Sequence, residues 1–568
     1  MNLITDRWIP VIRKDSAQED DTHKDDTNTI VPWQIAEAEN PVIEIKATRP
    51  DFQGALYQFL IGLLQTCFAP EDEDEWLERW KDPPQPDELE AAFDKVKDAF
   101  ELDNQDGPAF MQEHPDPDNH DKVFEEVEWL PVEDLIGGAL SSNTRKDNKD
   151  LFVKTKQIEV VSPYWAALAL FNLQITGVLA WGQHRVGLRG NAPLTTLIMP
   201  ADFKQSSLWK KLWLNVIYRE DIDLIPGDPA KKNRSDIFPW MGKTRTSPNK
   251  EPTSPSDANP LQHYWAMPRR ICLKVEPVKG KCDLSGKDIE KGVKFYKRVP
   301  DGVYYTNGWV HPLTPYTRKD KGQFPKPIEG KHASEGFRQW VSLNYDEYAD
   351  ENSRKTRWGR ALVVKHYYEE KPRINDTRLW CFGYDATNAN VKCWYESSMP
   401  TFQVPNDNVD ALKDHVSDAL QLAYQIVEEL RSSLIRAWFK PQTDSNGKQN
   451  WEHVKKAINK AGHLSTYNNI ECEYWESLEK AFSAMLGELI TYGQTPGKPL
   501  HIYVQWVKAI QNHCLNYFDR NALGEAVDEI DLKRVVEAKN YLLGALFPAK
   551  KSFLKEINEF KKQMEVTA

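Results

Sequence analysis

The chain has 568 residues, 85 acidic against 73 basic side chains, a formal charge of −12 and a mean hydropathy of −0.64. That length exceeds one hydrophobic core and implies two to four domains, while 40% hydrophobic and 28% charged residues exclude a disordered chain. The hydropathy and charge argue against a membrane protein and a wholly basic nucleic-acid coat, yet local patches, not the sum, set the field a phosphate meets.

Leu3–Ile12 reads as a strand, followed by an acidic, polar loop over Asp15–Asn28 and a second strand around Val42–Lys46. Its first residues, MNLITDRWIPVIRKD, lack the charged-then-apolar pattern of an export signal, so a cytoplasmic location is expected. Phe52–Phe68 places apolar residues at 52, 56, 59, 60, 63 and 67, the spacing of a helix. Glu71–Asp103 is strongly acidic and carries a helix from Pro86 or Asp87 to Phe100. Two uncharged runs, Phe52–Pro70 and Val160–His184, are long enough to weigh as membrane spans. Gln53, Gln58 and Gln65 interrupt the first, and Pro163, Asn172, Gln174 and Thr176 the second, so both read as buried core helices.

Residues 200–400 are rich in proline, glycine and aromatics, with β-like runs at Gly302–Tyr305 and Ala361–Tyr367. The chain's 20 tryptophans and 36 prolines fit many loops pinned by aromatic anchors. Beyond a Ser-Ser-Met-Pro linker near residue 397, Val409, Leu412, Val416, Ala419, Ala423, Ile426, Leu430, Leu434 and Ala437 step by three and four. Such a stripe buries itself only against other helices. Further helical patterns cover Trp475–Leu489, Ile502–Phe518 and Ile530–Leu546, before a short basic tail after Pro548. The expected architecture is α+β: a large irregular mixed N-terminal domain with long loops over 1–397, and a C-terminal helical (four-helix) bundle over 398–568.

Signatures of catalysis are scarce: the sequence has no P-loop, no GxSxG and no HExxH. The segment containing His114, Asp116, Asp118, His120 and Asp121 has ligand types for a metal, but its prolines also make a polar loop. Seven cysteines are widely spaced without a CxxC; Cys272 and Cys282 would be half a zinc site that nothing nearby completes, so neither a metal nor another cofactor is expected. Three basic clusters interleave with aromatics: Lys231, Lys232, Arg234, Lys243 and Arg245 around Pro239-Trp240; Arg318, Lys319, Lys321, Lys326 and Lys331 after HPLTPY; and Arg354, Lys355, Arg357 and Arg360 around Trp358. Clusters of this kind suit phosphate and base contacts, although each alone also fits a solvated surface. Gly177, Gly182, Gly187 and Gly190, with Arg185 and Arg189, form a segment whose backbone N–H groups are able to face a ligand; a structural turn is the competing reading.

Six fragments, in order, carry a family likeness: NLITDRWIPV at 2–11, GPAFMQ at 107–112, LALFN at 168–172, GLRGNAPLTT at 187–196, NGWVHPLTP at 307–315 and GYDATNANVKCWYE at 383–396. Together they resemble the CasA family, the large subunit of the type I-E CRISPR surveillance complex (Cascade). The resemblance implies a non-catalytic subunit that reads the protospacer-adjacent motif (PAM) of double-stranded DNA from the minor groove. It implies help in opening the duplex for crRNA pairing and recruitment of a helicase-nuclease. Its expected partners are crRNA, PAM-containing DNA, the subunit capping the crRNA 5′ handle, and the backbone and small subunits.

Residue by residue, the family's glycine loop falls on 177–187, best at Gly182, with Arg185 beside it. Its PAM-reading lysine falls near Lys321, with Lys319 and Arg318 as rivals. Its wedge falls on the turn of 385–390, with Asn388 at the tip between Thr387 and Ala389. The family loop that docks on the crRNA handle and its capping subunit falls on Phe152, Val153 and Lys154. Two readings from other classes stand beside this one: a metal-dependent nuclease or hydrolase using the His114–Asp121 loop, and a protein-only interaction scaffold.

Overall fold

The computed structural model describes residues 1–15, 29–104, 107–113, 124, 126–136, 157–178, 184–306, 308–318, 323–346, 357–372, 374, 376–387, 390–404, 406–440, 442–443, 449–450, 464–493, 497–523 and 531–567. These divide into two compact units, Met1–Gln403 and Val404–Ala568.

The first unit is built on two helices that are buried nearly all round. Pro50–Cys67 starts on a proline at its first turn, and residues from Asp51 to Gln65 are buried with few exceptions. Pro163–Thr176 starts at Ser162, whose hydroxyl accepts from the Trp165 N–H at 3.3 Å, and every residue but Tyr164 is buried. These are the two uncharged runs of the sequence, and no helix among the described residues is long and apolar enough to cross a membrane. Phe59 of the first helix lies 5.8 Å from the rings of Phe100, Phe171 and Trp265 and 6.1 Å from Phe110, all close to edge-on. Edge-to-face aromatic packing at this spacing holds the centre of the unit.

Small antiparallel sheets surround that centre. Strands β1 (Ile9–Arg13), β2 (Thr29–Ile30) and β3 (Val42–Ile45) form one, in the order β2-β1-β3. Strand β4 (Leu130–Pro131) edges a long hairpin made of β6 (Arg270–Lys281) and β7 (Asp288–Val299). Strand β5 (Thr195–Pro200) pairs with β11 (Thr377–Thr387), which pairs in turn with β12 (Asn390–Thr401). Strands β8 (Tyr316–Arg318), β9 (Lys326–Pro327) and β10 (Arg357–Gly359) make a further small sheet in the order β10-β8-β9.

Four local expectations change. Ala361–Tyr367 is not a strand: Leu362–Glu369 is a helix that buries Val363, Val364, His366 and Tyr367, one helical face that the β-branched residues obscured. Gly302–Tyr305 forms only an isolated bridge, Tyr305 to Thr253. The acidic segment holds two short helices, Glu73–Lys81 and Pro86–Asp94, then a 3-10 turn at Lys97–Phe100, where a single helix was expected. Ser397 to Pro400 is no linker but part of β12, where the Pro400 carbonyl accepts from Trp340 Nε1 at 2.7 Å.

The second unit is helical, with Asn406–Trp438, Leu464–Tyr492, Leu500–Asn521, Leu532–Leu546 and Phe553–Thr567. The stripe from Leu412 to Ala437 is buried, and Val409 half-buried. Tyr474 and Trp506 of neighbouring helices donate to the Ala423 and Ala419 carbonyls at 2.9 and 3.1 Å. Among the described residues the expected four helices are joined by a fifth, because the tail after Pro548 buries Leu554 and Ile557 in an amphipathic helix.

Candidate nucleic-acid interface

The Pro163–Thr176 helix ends at Gly177, which has φ +63° and donates to the Leu173 carbonyl at 3.0 Å. A glycine in the left-handed region is the common way to stop a helix. The chain returns through Gly187 and Gly190, which bridge each other, the latter with φ +73°. A Cβ on Gly177 would stand 2.4 Å from the Gly190 oxygen and 2.7 Å from the Gly187 nitrogen. Gly177 and Gly187 therefore serve close backbone approach inside the protein and Gly190 serves a left-handed backbone, as the turn reading has it; Gly182 lies outside the described residues.

Two arginines that are 1% exposed fix this root from beneath. Arg269 donates to the carbonyls of Gly177 (2.9 Å), Val178 (3.2 Å) and Arg185 (3.0 Å), so it grips both ends of the segment. Arg189 donates to the Ile175 carbonyl, to Gln58 at 2.8 Å, and to the hydroxyls of Thr195 and Thr314 at 3.0 and 3.1 Å. Burial lowers both guanidinium groups, to about 9 for Arg269 and about 10 for Arg189, which leaves each a cation at neutral pH. His184 is pushed down to about 4 by burial and by the nearby Arg298 and Arg269. Arg185, expected as a DNA contact, turns to the protein. It bonds the hydroxyl of Ser247 at 2.8 Å and its carbonyl, approaches Asp301 at 3.5 Å, and lies over the Tyr304 ring.

The second and third basic clusters meet in one sheet. Arg318 of β8 stands directly across from Arg357 of β10, and Thr317 is flanked by Lys326 of β9 and Trp358 of β10. Arg318 and Lys326 are exposed, whereas Lys319 and Lys321 lie outside the described residues. Other members are ion-paired: Lys331 with Glu329 at 2.8 Å, and Arg360 with Glu369 at 2.5 Å. The first cluster loses its stacking surface, because Trp240 is fully buried and donates to the Ala99 carbonyl at 2.6 Å. Its Arg234 and Arg245 reach Asp98 at 3.1 Å and the Asp257 carbonyl at 2.8 Å.

Strands β11 and β12 form a hairpin paired out to Thr387 and Asn390; Asn388 and Ala389 lie outside the described residues. Cys393 faces Asp385 and Val391 faces Ala386, which leaves Lys392 as an extra residue in a bulge. Such a bulge bends the strand and re-aims what lies beyond it.

The roots of the three segments adjoin. Val178 and Ala192 of the glycine segment's flanks pack with Tyr384, Ala386, Val391 and Trp394 of the hairpin. The Leu194 and Gly330 N–H groups donate to the carbonyls of Ile328 and Ala192, both at 2.7 Å, beside β9. Gly330 presses on Gly383 so closely that a Cβ would lie 2.7 Å from the Gly383 Cα. Sequence reasoning missed Arg269, Arg189 as a buried group, Asp51 and Tyr384; the only signal for the first was a Pro-Arg-Arg run leading into β6.

Phe152, Val153, Lys154 and the His114–Asp121 loop lie outside the described residues. Cys272 and Cys282 are free thiols, the second buried and accepting from the Ser162 N–H at 3.3 Å. Among the described residues no three His, Cys, Asp or Glu side chains come together as metal ligands.

The family model for the CRISPR-associated protein Cse1 matches residues 2–517. The class is thus that of CRISPR-associated proteins, and the chain belongs to the Cse1 family within it. Among solved structures, Cse1 from Acidimicrobium ferrooxidans is similar with a TM-score of 0.65 at 15% identity, over 99% of both chains. CasA from Thermus thermophilus is similar with a TM-score of 0.62 at 16% identity, over 96% of this chain and 99% of that one. A chain of a CRISPR RNA-guided surveillance complex gives 0.58 at 13% identity, with the same coverage. At such identities the likeness speaks for the fold.

Proposed function

We propose that this chain is the large, non-catalytic subunit of an RNA-guided CRISPR surveillance complex, and that it reads the PAM of double-stranded DNA from the minor groove. In this reading it helps open the duplex for crRNA pairing and recruits the helicase-nuclease, working in the cytoplasm with the handle-capping, backbone and small subunits. The observation that carries it is the convergence of the glycine segment, the basic β8–β10 sheet and the bulged hairpin through shared backbone and core contacts.

The roles follow from chemistry. Backbone N–H groups near Gly182 donate to the A N3 and T O2 acceptors, whose pattern is degenerate, so several PAMs are tolerated. Lys321, with Lys319 and the exposed Arg318, enters the negative potential of the groove. Arg185 braces the segment through Ser247 and Asp301. Asn388, with Thr387 and Ala389, unstacks the first base step, which costs a few kcal/mol offset by contacts to the separated strands. Phe152, Val153 and Lys154 dock on the crRNA handle and its capping subunit.

The test is binding of PAM-bearing and PAM-less duplexes by the reconstituted complex across salt. Lys321→Ala and Gly182→Leu should each weaken PAM-bearing DNA about tenfold or more, with Lys321→Ala also flattening the salt dependence by about one charge. Variants that bind and open DNA as wild type does at every salt concentration would overturn the reading and favour a protein-only scaffold. DNA cleavage by this chain alone with Mg²⁺, lost in His120→Ala, would overturn its non-catalytic part.

A further inference from the structure

Beneath the bulge of the hairpin lies a polar cluster in an otherwise apolar setting. Asp51 at the start of the Pro50–Cys67 helix, Asn172 of the Pro163–Thr176 helix and Tyr384 of β11 are 2%, 2% and 1% exposed. The Tyr384 hydroxyl donates to Asp51 Oδ2 at 2.5 Å and accepts from Asn172 Nδ2 at 3.0 Å. Arg49 closes the carboxylate from the other side at 2.9 and 3.0 Å. Asn172 leads onward: its carbonyl accepts from the Thr176 hydroxyl at 2.6 Å, and the Thr176 carbonyl accepts from the Ala192 N–H at 2.8 Å. The same Tyr384 ring packs on Val178 and Ala192.

A phenylalanine would fill that apolar contact equally well, so packing alone does not call for the hydroxyl. Buried polar groups are costly unless satisfied, and when satisfied they select one geometry over near neighbours. The hydroxyl sits one residue before the bulge, where a small change in strand register swings everything beyond it.

We propose that Tyr384 is a positioning residue: its hydroxyl, held by Asp51 and Asn172, locks the hairpin to the root of the glycine segment so that PAM contact and strand separation act as one rigid body. This rests on the reading of the hairpin as a wedge. The hydroxyl touches no DNA; it fixes where the tip stands when the glycine segment is seated in the groove.

The experiment uses the complete reconstituted complex with Tyr384→Phe. PAM-bearing duplex binding is measured by anisotropy, and opening by 2-aminopurine fluorescence at the base pairs next to the PAM. Binding should stay within about twofold of wild type while opening slows about tenfold, the worth of one buried hydrogen bond. A duplex already unpaired at those positions should restore wild-type behaviour, which a general loss of structure would not allow. Normal opening by the variant, or a defect that persists on the unpaired duplex, overturns the proposal. Absence of PAM-dependent opening in wild type would instead remove the wedge reading itself. Thermal unfolding checks the variant; should it not fold, Asn172→Leu, which keeps the volume and removes the donor to the Tyr384 hydroxyl, is read by the same two duplexes.

Discussion

Replacing Gly177 by alanine tests the root of the glycine segment against a matched control in the same loop. Two costs add at Gly177. Its φ of +63° puts an L side chain in the left-handed region, at about 1–2 kcal/mol. Its new Cβ would sit 2.4 Å from the Gly190 oxygen and 2.7 Å from the Gly187 nitrogen, and because both are backbone atoms the loop must shift, at about 1–3 kcal/mol. The stiffer unfolded chain returns about 0.4–1 kcal/mol, for a net loss of about 3 kcal/mol. Gly190 has φ +73° but meets only Pro327 Cγ at 3.4 Å, an ordinary contact, so Gly190→Ala carries the backbone cost alone and loses about 1 kcal/mol. Urea unfolding followed by tryptophan fluorescence, with hydrogen exchange read over 177–190, should rank Gly177→Ala well below Gly190→Ala. Equal losses in the two variants would refute the argument that the glycines are there for mutual backbone contact.

Arg269→Lys should cost about 2–4 kcal/mol, because one ammonium does not reach the three carbonyls the guanidinium now joins; faster hydrogen exchange at 177–178 and 185–190 would report it, and unchanged protection would count against the clamp. Acid should weaken the first unit through three histidines: burial lowers His184 and His263 to about 4 and His311 well below its ordinary value. Since each folded pKa lies below the unfolded value near 6.5, the unfolded chain binds more protons below that pH; stability is full above it and falls by about 3 kcal/mol in total from pH 6.5 to 5.5. Urea midpoints at pH 7.5, 6.5 and 5.5 measure this, and a flat profile would contradict it.

Where a run of residues is buried on one consistent face, its element was legible. The stripe from Leu412 to Ala437 has the period of its helix because one side meets other helices. The two uncharged core helices were found by a different signal, the absence of charge, since burial all round erases any stripe. Reading failed where composition and period disagreed. Leu362–Glu369 is valine- and tyrosine-rich but buries positions 363, 364, 366 and 367, and tertiary burial overrode its strand-like composition. The strand at Ser397–Pro400 was hidden because a proline and two serines look like a linker; they are tolerated in β12 because that strand edges its sheet.

The site was harder to read, because charge counts do not distinguish a cation that faces solvent from one that braces a loop. Arg185 and Arg189 sit in one glycine-rich run, yet Arg185 pairs with Asp301 while Arg189 is fully buried on neutral oxygens of Gln58, Thr195, Thr314 and Ile175. The second arrangement has an electrostatic consequence. A carboxylate would satisfy a guanidinium and also cancel its field, whereas carbonyl and hydroxyl oxygens satisfy the donors and leave the positive charge in place. In a chain of net charge −12, Arg189 is therefore a buried cation at the root of the glycine segment whose donors are met by neutral oxygens. It also holds the segment's backbone in one shape. The exposed cations of β8 and β9 were visible in the sequence as clusters; the buried ones were not, because their value depends on which oxygens the fold brings to them.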